Sequence, residues 1–380
     1  MKKICNKSLI LVFALFSFAS QAANHNIFNS TLVYGVDTNP NELSAGLNPS
    51  IETYYAAELS LKAALFDMLY IDAKANKSLY PNDRRADQYS IVANIGLKSD
   101  FLISKEQFEW QLSTDYQSVD QTFVSKASGF VAEVGGISIA DRYDFTQFNY
   151  QLGIDYLPYR TLKVGFDYKN RNKNYFDLAV TGLPNLNYKQ TDLLIGLEYL
   201  SSDQGYMFLK AGSLTRRFEN RLTRDILGNP ILGTNLEYDY YSVDVGYIYQ
   251  PEDGIEWEYT YNYAHRFDNG SGYYEATSGY MSMKGIYKFT ERQFLTGELI
   301  YSKLSYENRV GVGSTNDLPE EAEEAAGGRI KVSYEWVMSQ FFNTNFAFYM
   351  DFQHSLSVNR NSIYTYNRSM ASAGFRWSAF

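Results

Sequence analysis

From about residue 27 onward the chain repeats one unit: a run of roughly ten or more residues in which apolar and polar side chains alternate, then a turn or a longer polar stretch. Alternation with a period of two puts successive side chains on opposite faces of a β-strand. The segment IEWEYTYNYAHR is the clearest case: Ile255, Trp257, Tyr259, Tyr261 and Tyr263 share one face, and Glu256, Glu258, Thr260, Asn262 and Arg266 the other. Phe148, Tyr150, Leu152, Ile154 and Tyr156 likewise oppose Asn149, Gln151, Gly153 and Asp155. Ile330, Val332, Tyr334 and Trp336 oppose Lys331, Ser333 and Glu335. The 3.6-residue period of an amphipathic helix is sustained nowhere.

Connectors between these runs fall into two kinds that alternate along the chain. Short ones lie near 66, 101, 157, 201, 250, 289 and 337, and long polar ones span 37–52, 77–87, 118–142, 172–188, 217–235, 267–274, 307–328 and 356–362. The strands between them are about twice the five to six residues usual in a soluble sandwich, and strands of about nine to eleven residues, tilted, cross a bilayer. The pattern therefore predicts an all-β fold: a transmembrane antiparallel up-and-down β-barrel of about sixteen strands over residues 23–380, with fourteen or eighteen as alternatives. Both chain ends then lie on the short-turn side.

Residues 1–22 combine Lys2, Lys3 and Lys7 with the apolar run SLILVFALFSFA and small residues at Ser20 and Ala22, the layout of a secretory signal peptide. The single cysteine, Cys5, falls inside that segment, so the processed chain is expected to have neither disulfides nor thiolate metal sites. A mean hydropathy of −0.34 excludes a polytopic helical membrane protein, and a formal net charge of −9 argues against a nucleic-acid partner. The 34 tyrosines and 25 phenylalanines instead suit a membrane interface. The doublets Tyr54 and Tyr55, Tyr240 and Tyr241, Tyr273 and Tyr274, and Phe341 and Phe342 are expected in two interfacial girdles.

The chain ends GFRWSAF, with Ala371, Ala373, Phe375 and Trp377 alternating ahead of a terminal aromatic. In this it resembles the β-barrel proteins of Gram-negative outer membranes. The resemblance implies residence in the cell outer membrane, contact with its lipid and lipopolysaccharide, and recognition by the barrel assembly machinery through a last strand ending in Phe380. The opening YGVDTNPNELSAG, followed by YYAAELSLKAAL, resembles porin-like barrels associated with exopolysaccharide or capsule export, with Asp37, Asn39 and Pro40 carrying the likeness. That implies a channel for a sugar polymer and a periplasmic polysaccharide export protein as partner. A general or selective uptake porin, and a non-conducting structural or surface-interaction barrel, are the alternatives.

If the polar faces enclose a lumen, its lining carries both signs of charge. The expected pore-lining residues are Lys163, Lys169, Arg171, Asp192, Glu198, Lys210, Arg216, Asp244, Glu256, Glu258, Arg266, Lys331 and Glu335. With the short turns in the periplasm, Lys169, Arg171, Arg216 and Arg266 fall toward the cell exterior and Glu198, Glu256 and Glu258 toward the periplasm. An anion-attracting outer mouth is one expectation. Catalysis is not expected, because the three histidines are His25, His265 and His354, and HSLS at 354–357 lacks the His-x-Ser element of an outer-membrane phospholipase. His265 and His354 continue the apolar parity of their strands and are read as interface anchors. GVGS at 311–314 lacks the Lys-Ser/Thr ending of a phosphate loop, and the glutamates at 320–324 read as a solvated loop. No cofactor or metal is expected.

Overall fold

A computed structural model describes residues 25–379 except 48, 66–67, 100–107, 127, 177–179, 181–182, 203, 252–254, 310–324, 342–343 and 360–363. The segment expected to be a signal peptide, Phe380, GVGS and the glutamates at 320–324 therefore lie outside the described residues. The barrel strands are β1 (His25–Asp37), β2 (Glu52–Leu65), β3 (Leu69–Leu79), β4 (Gln88–Lys98) and β5 (Phe108–Gln121), then, after a two-residue ladder of β6 (Glu133–Val134) with β7 (Ile137–Ser138), β8 (Phe145–Tyr159). There follow β9 (Leu162–Tyr175), β10 (Tyr188–Ser202), β11 (Gly205–Arg224), β12 (Pro230–Tyr249) and β13 (Ile255–Asp268). The circuit ends with β14 (Ala276–Thr290), β15 (Gln293–Tyr306), β16 (Ala325–Phe341), β17 (Thr344–Asn359) and β18 (Tyr366–Ala379).

Each strand pairs antiparallel with its neighbours in sequence, β5 pairs with β8 across the small ladder, and β1 pairs with β18, closing a sixteen-stranded barrel. Closure gives every wall strand a hydrogen-bonded neighbour on both sides, which a sheet in hydrocarbon requires because no water is there to satisfy an open edge. The closing register is regular, running from Phe28 opposite Ala379 to Asp37 opposite Met370.

The two faces divide as the alternation predicts. Outward-facing apolar side chains stay exposed around the wall: Leu32 is 64% exposed, Tyr150 57%, Ile195 62% and Phe352 48%, with Trp257, Tyr259, Tyr261, Trp336 and Phe375 in the same condition. Water-soluble proteins rarely expose an apolar surface that continuous, whereas acyl chains cover it. The molecule is thus a transmembrane barrel of the outer-membrane type. The β8–β9, β10–β11, β14–β15 and β16–β17 connections and both ends of the described chain lie on one rim, and the long connectors lie on the other, exterior, rim.

One connector differs from the sequence expectation. The stretch 217–235 is not a polar loop. β11 and β12 each run twenty residues and continue past the wall as a hairpin that turns at 225–229, with register shifts between Arg217 and Leu222 and between Leu222 and Arg224. Asp225 makes the turn locally: its carboxylate accepts from the backbone N–H groups of Leu227 and Asn229. Most of the connector near 101 lies outside the described residues.

Glycine fits the wall together where an interior ring must lie flat. Tyr70 lies over Gly96 on the adjacent strand and Phe208 over Gly246, and a Cβ at either glycine would collide with that ring. Tyr70 also accepts a hydrogen bond from Gln111 Nε2 at 2.5 Å, holding it against the wall.

Ile195 lies halfway along β10 on the outward face, so Ile195→Arg is expected to cost about 2–4 kcal/mol of folding free energy in lipid vesicles. Gln353→Arg, on the inner face of β17, is expected to change stability by no more than about 0.5 kcal/mol. Denaturant titration of the barrel in vesicles measures both, and equal costs would mean that the faces are assigned the wrong way round.

Candidate functional site: the barrel interior

All thirteen charged residues singled out in the sequence lie on the parity opposite the exposed apolar side chains, spread around the wall rather than gathered at one point. Toward the periplasmic rim, Lys163 sits between Glu198 at 2.8 Å and Asp155 at 3.5 Å, bridging three strands. Glu335 accepts from Arg376 at 2.8 Å, and Glu256 and Glu258 share the inner face at the start of β13, with Glu258 opposite Lys284. At mid-height Lys210 stands opposite Asp244, which accepts from Asn262, and Lys331 stands opposite Glu298. Higher up, Lys169 stands opposite Asp192, and Arg171 reaches the same carboxylate at 3.9 Å. The side chains of Lys163, Arg171, Asp192 and Glu198 are all more than two-thirds covered, so these are pairs of the wall rather than dangling charges.

Arg216 and Arg266 occupy the exterior end, as expected, but not at a wetted surface. They are 9% and 5% exposed. There the interior wall carries a run of aromatic side chains: Phe145, Tyr175, Tyr188, Phe218, Tyr238, Tyr240 and Tyr306, contributed by β8 through β12 and by β15. Against it pack Phe123 and Tyr143 of the 122–144 connector, Leu186 of 176–187, and Tyr273 and Tyr274 of 269–275. Exterior connectors thus fold into the mouth and line part of it with their own side chains.

Cations are threaded through these rings. Lys173 lies 3.8 Å from the Phe145 centroid, Arg216 4.4 Å from Tyr188, Arg266 4.8 Å from Tyr238 and Arg309 4.9 Å from Tyr306. Each such contact is worth about 0.5–2 kcal/mol, the larger value where water is displaced. Arg266 also donates to the Tyr274 carbonyl at 2.8 Å, tying loop to wall, and Arg216 donates to Gln190 on the neighbouring strand at 3.0 Å.

The aromatic doublets need a correction that follows from the period of two. Consecutive residues of a strand face opposite ways, so Tyr55 and Tyr241 are exposed outward while Tyr54 and Tyr240 turn inward. Tyr273 and Tyr274 are both buried in the mouth rather than in a girdle. The side chains of Phe341 and Phe342 lie outside the described residues.

A second set of loop contacts surrounds the Asp37 motif. The Asp37 carboxylate is fully buried and accepts from Arg368 at 2.6 Å, from the Tyr80 hydroxyl at 3.0 Å and from the Asn39 backbone N–H at 3.0 Å. Asn39 in turn donates to the Leu43 and Asn367 carbonyls. Arg368 also contacts Glu42, which pairs with Lys126 of the 122–144 connector at 3.4 Å. Burial, with the Asp37 charge beside it, pushes the Tyr80 phenol above its ordinary pKa, so it remains a donor. Removing one partner of such a buried pair typically costs about 3–5 kcal/mol. Sequence singled out Asp37 and Asn39 without the partners, because Tyr80 and Arg368 are distant in the chain.

Asp144 was not foreseen. It closes the 122–144 connector beside Tyr143, accepts from the Gln121 backbone N–H at 2.8 Å, and passes its own carbonyl to the Phe176 N–H at 2.9 Å. Burial, opposed by the Gln121 hydrogen bond and reinforced by Asp120 and Asp141, raises its pKa from 3.8 to about 7. A carboxyl raised in the folded state holds its proton more tightly there than when unfolded. Loop packing is therefore strongest below about pH 4 and weakens as pH rises through 7. Hydrogen exchange of residues 122–144 is expected to speed up between pH 5 and 8 beyond its intrinsic chemical pH dependence. Asp144→Asn should remove that excess and leave the loop better protected at pH 8.

No protein-family model matches this chain, and no curated protein does. Solved structures with a similar fold include OmpT of Vibrio cholerae lacking loop L8, at 12% identity and a TM-score of 0.41, covering 93% of this chain and 99% of that one. An anion-selective porin from Comamonas acidovorans is similar at 10% identity and a TM-score of 0.41, covering 93% and 98%. Pseudomonas aeruginosa OprD is similar at 8% identity and a TM-score of 0.43, covering 94% and 97%. Likeness at this level concerns the barrel fold and says nothing of what passes through it.

Proposed function

We propose that this protein is a channel through which hydrophilic molecules cross the outer membrane. The observation that carries the reading is the continuous polar inner face, with opposed charges paired across strands from the periplasmic to the exterior end. Barrels of about sixteen strands are wide enough for water to fill them. The connectors folded into the mouth narrow the entrance on one side, so the channel is selective by size and charge rather than an open bore.

The finer reading is passage of a sugar polymer. It draws support from hydroxyl and amide groups on the inner face, such as Tyr70, Asn94, Asn149, Asn262, Asn345 and Tyr349, which suit the hydroxyls and flat faces of sugar rings. The same groups serve uptake of small polar solutes, so direction is a matter for the cell. Loss of the gene is expected to abolish surface polysaccharide while leaving small-solute uptake intact. The reverse phenotype would replace export with uptake.

Planar-bilayer recording of the folded protein tests the channel itself: discrete conductance steps are expected, and none would make the barrel a structural protein. Arg171 is the exterior-end cation suited to a field test, since Arg216 is pinned among tyrosines. Arg171→Glu reverses a charge on the inner wall and is expected to move the reversal potential in a salt gradient toward cation selectivity. An unchanged potential would mean that the ion path avoids this part of the wall.

A further inference from the structure

His265 sits near the exterior end of β13 on the outward face, where the sequence suggests only a ring anchored at the interface. Two carboxylates meet it there. Glu275 immediately precedes β14, Glu307 immediately follows β15, and the Glu307 N–H donates to the Glu275 carbonyl at 3.0 Å, extending the ladder past the last paired residues. His265 Nε2 lies 3.3 Å from Glu275 Oε1 and Nδ1 lies 3.6 Å from Glu307 Oε1. One ligand atom from each residue lies within 4.8 Å of the others.

We propose that His265, Glu275 and Glu307 form a binding site for a divalent transition-metal ion of the zinc class on the outer rim of the barrel. Charge-assisted N–H···O contacts usually close to about 2.7–2.9 Å. The His265 Nε2–Glu275 separation is wider, close to the edge of about 3.3 Å expected between ligand atoms that each sit about 2.0–2.1 Å from a tetrahedral metal. Glu307 rests against the other ring nitrogen, so its half-exposed side chain would swing toward Nε2 to complete the set. One imidazole with two carboxylates suits zinc, whereas calcium and magnesium favour all-oxygen sets.

The surroundings prepare the carboxylates. Gly272 has a φ of +83°, and a Cβ there would meet Glu275 Oε2 at 2.9 Å and Asn308 Nδ2 at 2.8 Å, so glycine leaves the space that the Glu275 side chain fills. The Phe267 ring backs the imidazole with centroids 4.1 Å apart, fixing its plane. The three ligands come from the ends of adjacent strands, so a bound ion would tie the end of 269–275 to the residues just after β15. With three protein ligands, a remaining position is left for water or a phosphate oxygen at headgroup level. The site lies outside the lumen and does not depend on what the barrel conducts.

Calorimetric titration of the untagged, chelator-stripped, folded protein in detergent with Zn²⁺ tests the assignment. One saturable site per chain is expected, undisturbed by excess Mg²⁺. His265→Ala and Glu275→Gln should each weaken binding by at least about tenfold, and His354→Ala should not. In the unaltered protein Zn²⁺ should slow amide exchange at 275–277 and 305–307. Absence of saturable binding, wild-type affinity in His265→Ala, equal competition by Mg²⁺, or protection elsewhere in the wall would each overturn it.

Discussion

The backbone must satisfy its own hydrogen bonds in a medium that offers none, and the rest of this structure follows from that constraint. A sheet meets it only by closing on itself, and closure occurs where β1 pairs with β18. Once the sheet is closed, the two-residue period leaves each side chain only two destinations, acyl chains or the interior. Leu32, Ile195 and Phe352 take the first, and Lys163, Asp192 and Glu335 the second. The amphipathic pattern and the transmembrane character are one fact seen in sequence and in space.

The interior is governed by electrostatics at short range. Cross-strand pairs put opposite charges on neighbouring strands at nearly the same height, so the charge along the wall is locally balanced. At the exterior end the balance changes character. Guanidinium groups lie on tyrosine faces, and connector side chains complete the packing. The mouth is thereby held by contacts that bury apolar area between connectors and wall.

Much of this was legible in the sequence because period two is a strong signal over strands this long. Strand number, the side of each face and the rim that bears the long connectors follow from it. Residues such as Glu198 and Arg171 could be assigned to the inner face from parity alone. What escaped were contacts between residues far apart in sequence. Parity places Arg216 inside, but the Gln190, Tyr188 and Tyr240 side chains that cover it stand on neighbouring strands. The extended hairpin at 225–229 was hidden because its strands turn polar once they leave the membrane, which reads as loop. Asp144 and the partners of His265 were illegible for the same reason: burial and three-strand adjacency have no local signature.

The bond between Asp37 and Arg368 spans 331 residues and sits at the seam where the first and last wall strands meet. In an open sheet, before β18 docks, the acid lacks that counter-charge. Zipping the seam therefore does two things in one motion: it completes the ladder and neutralises an ion that would otherwise resist desolvation. Opening the seam would forfeit both contributions together.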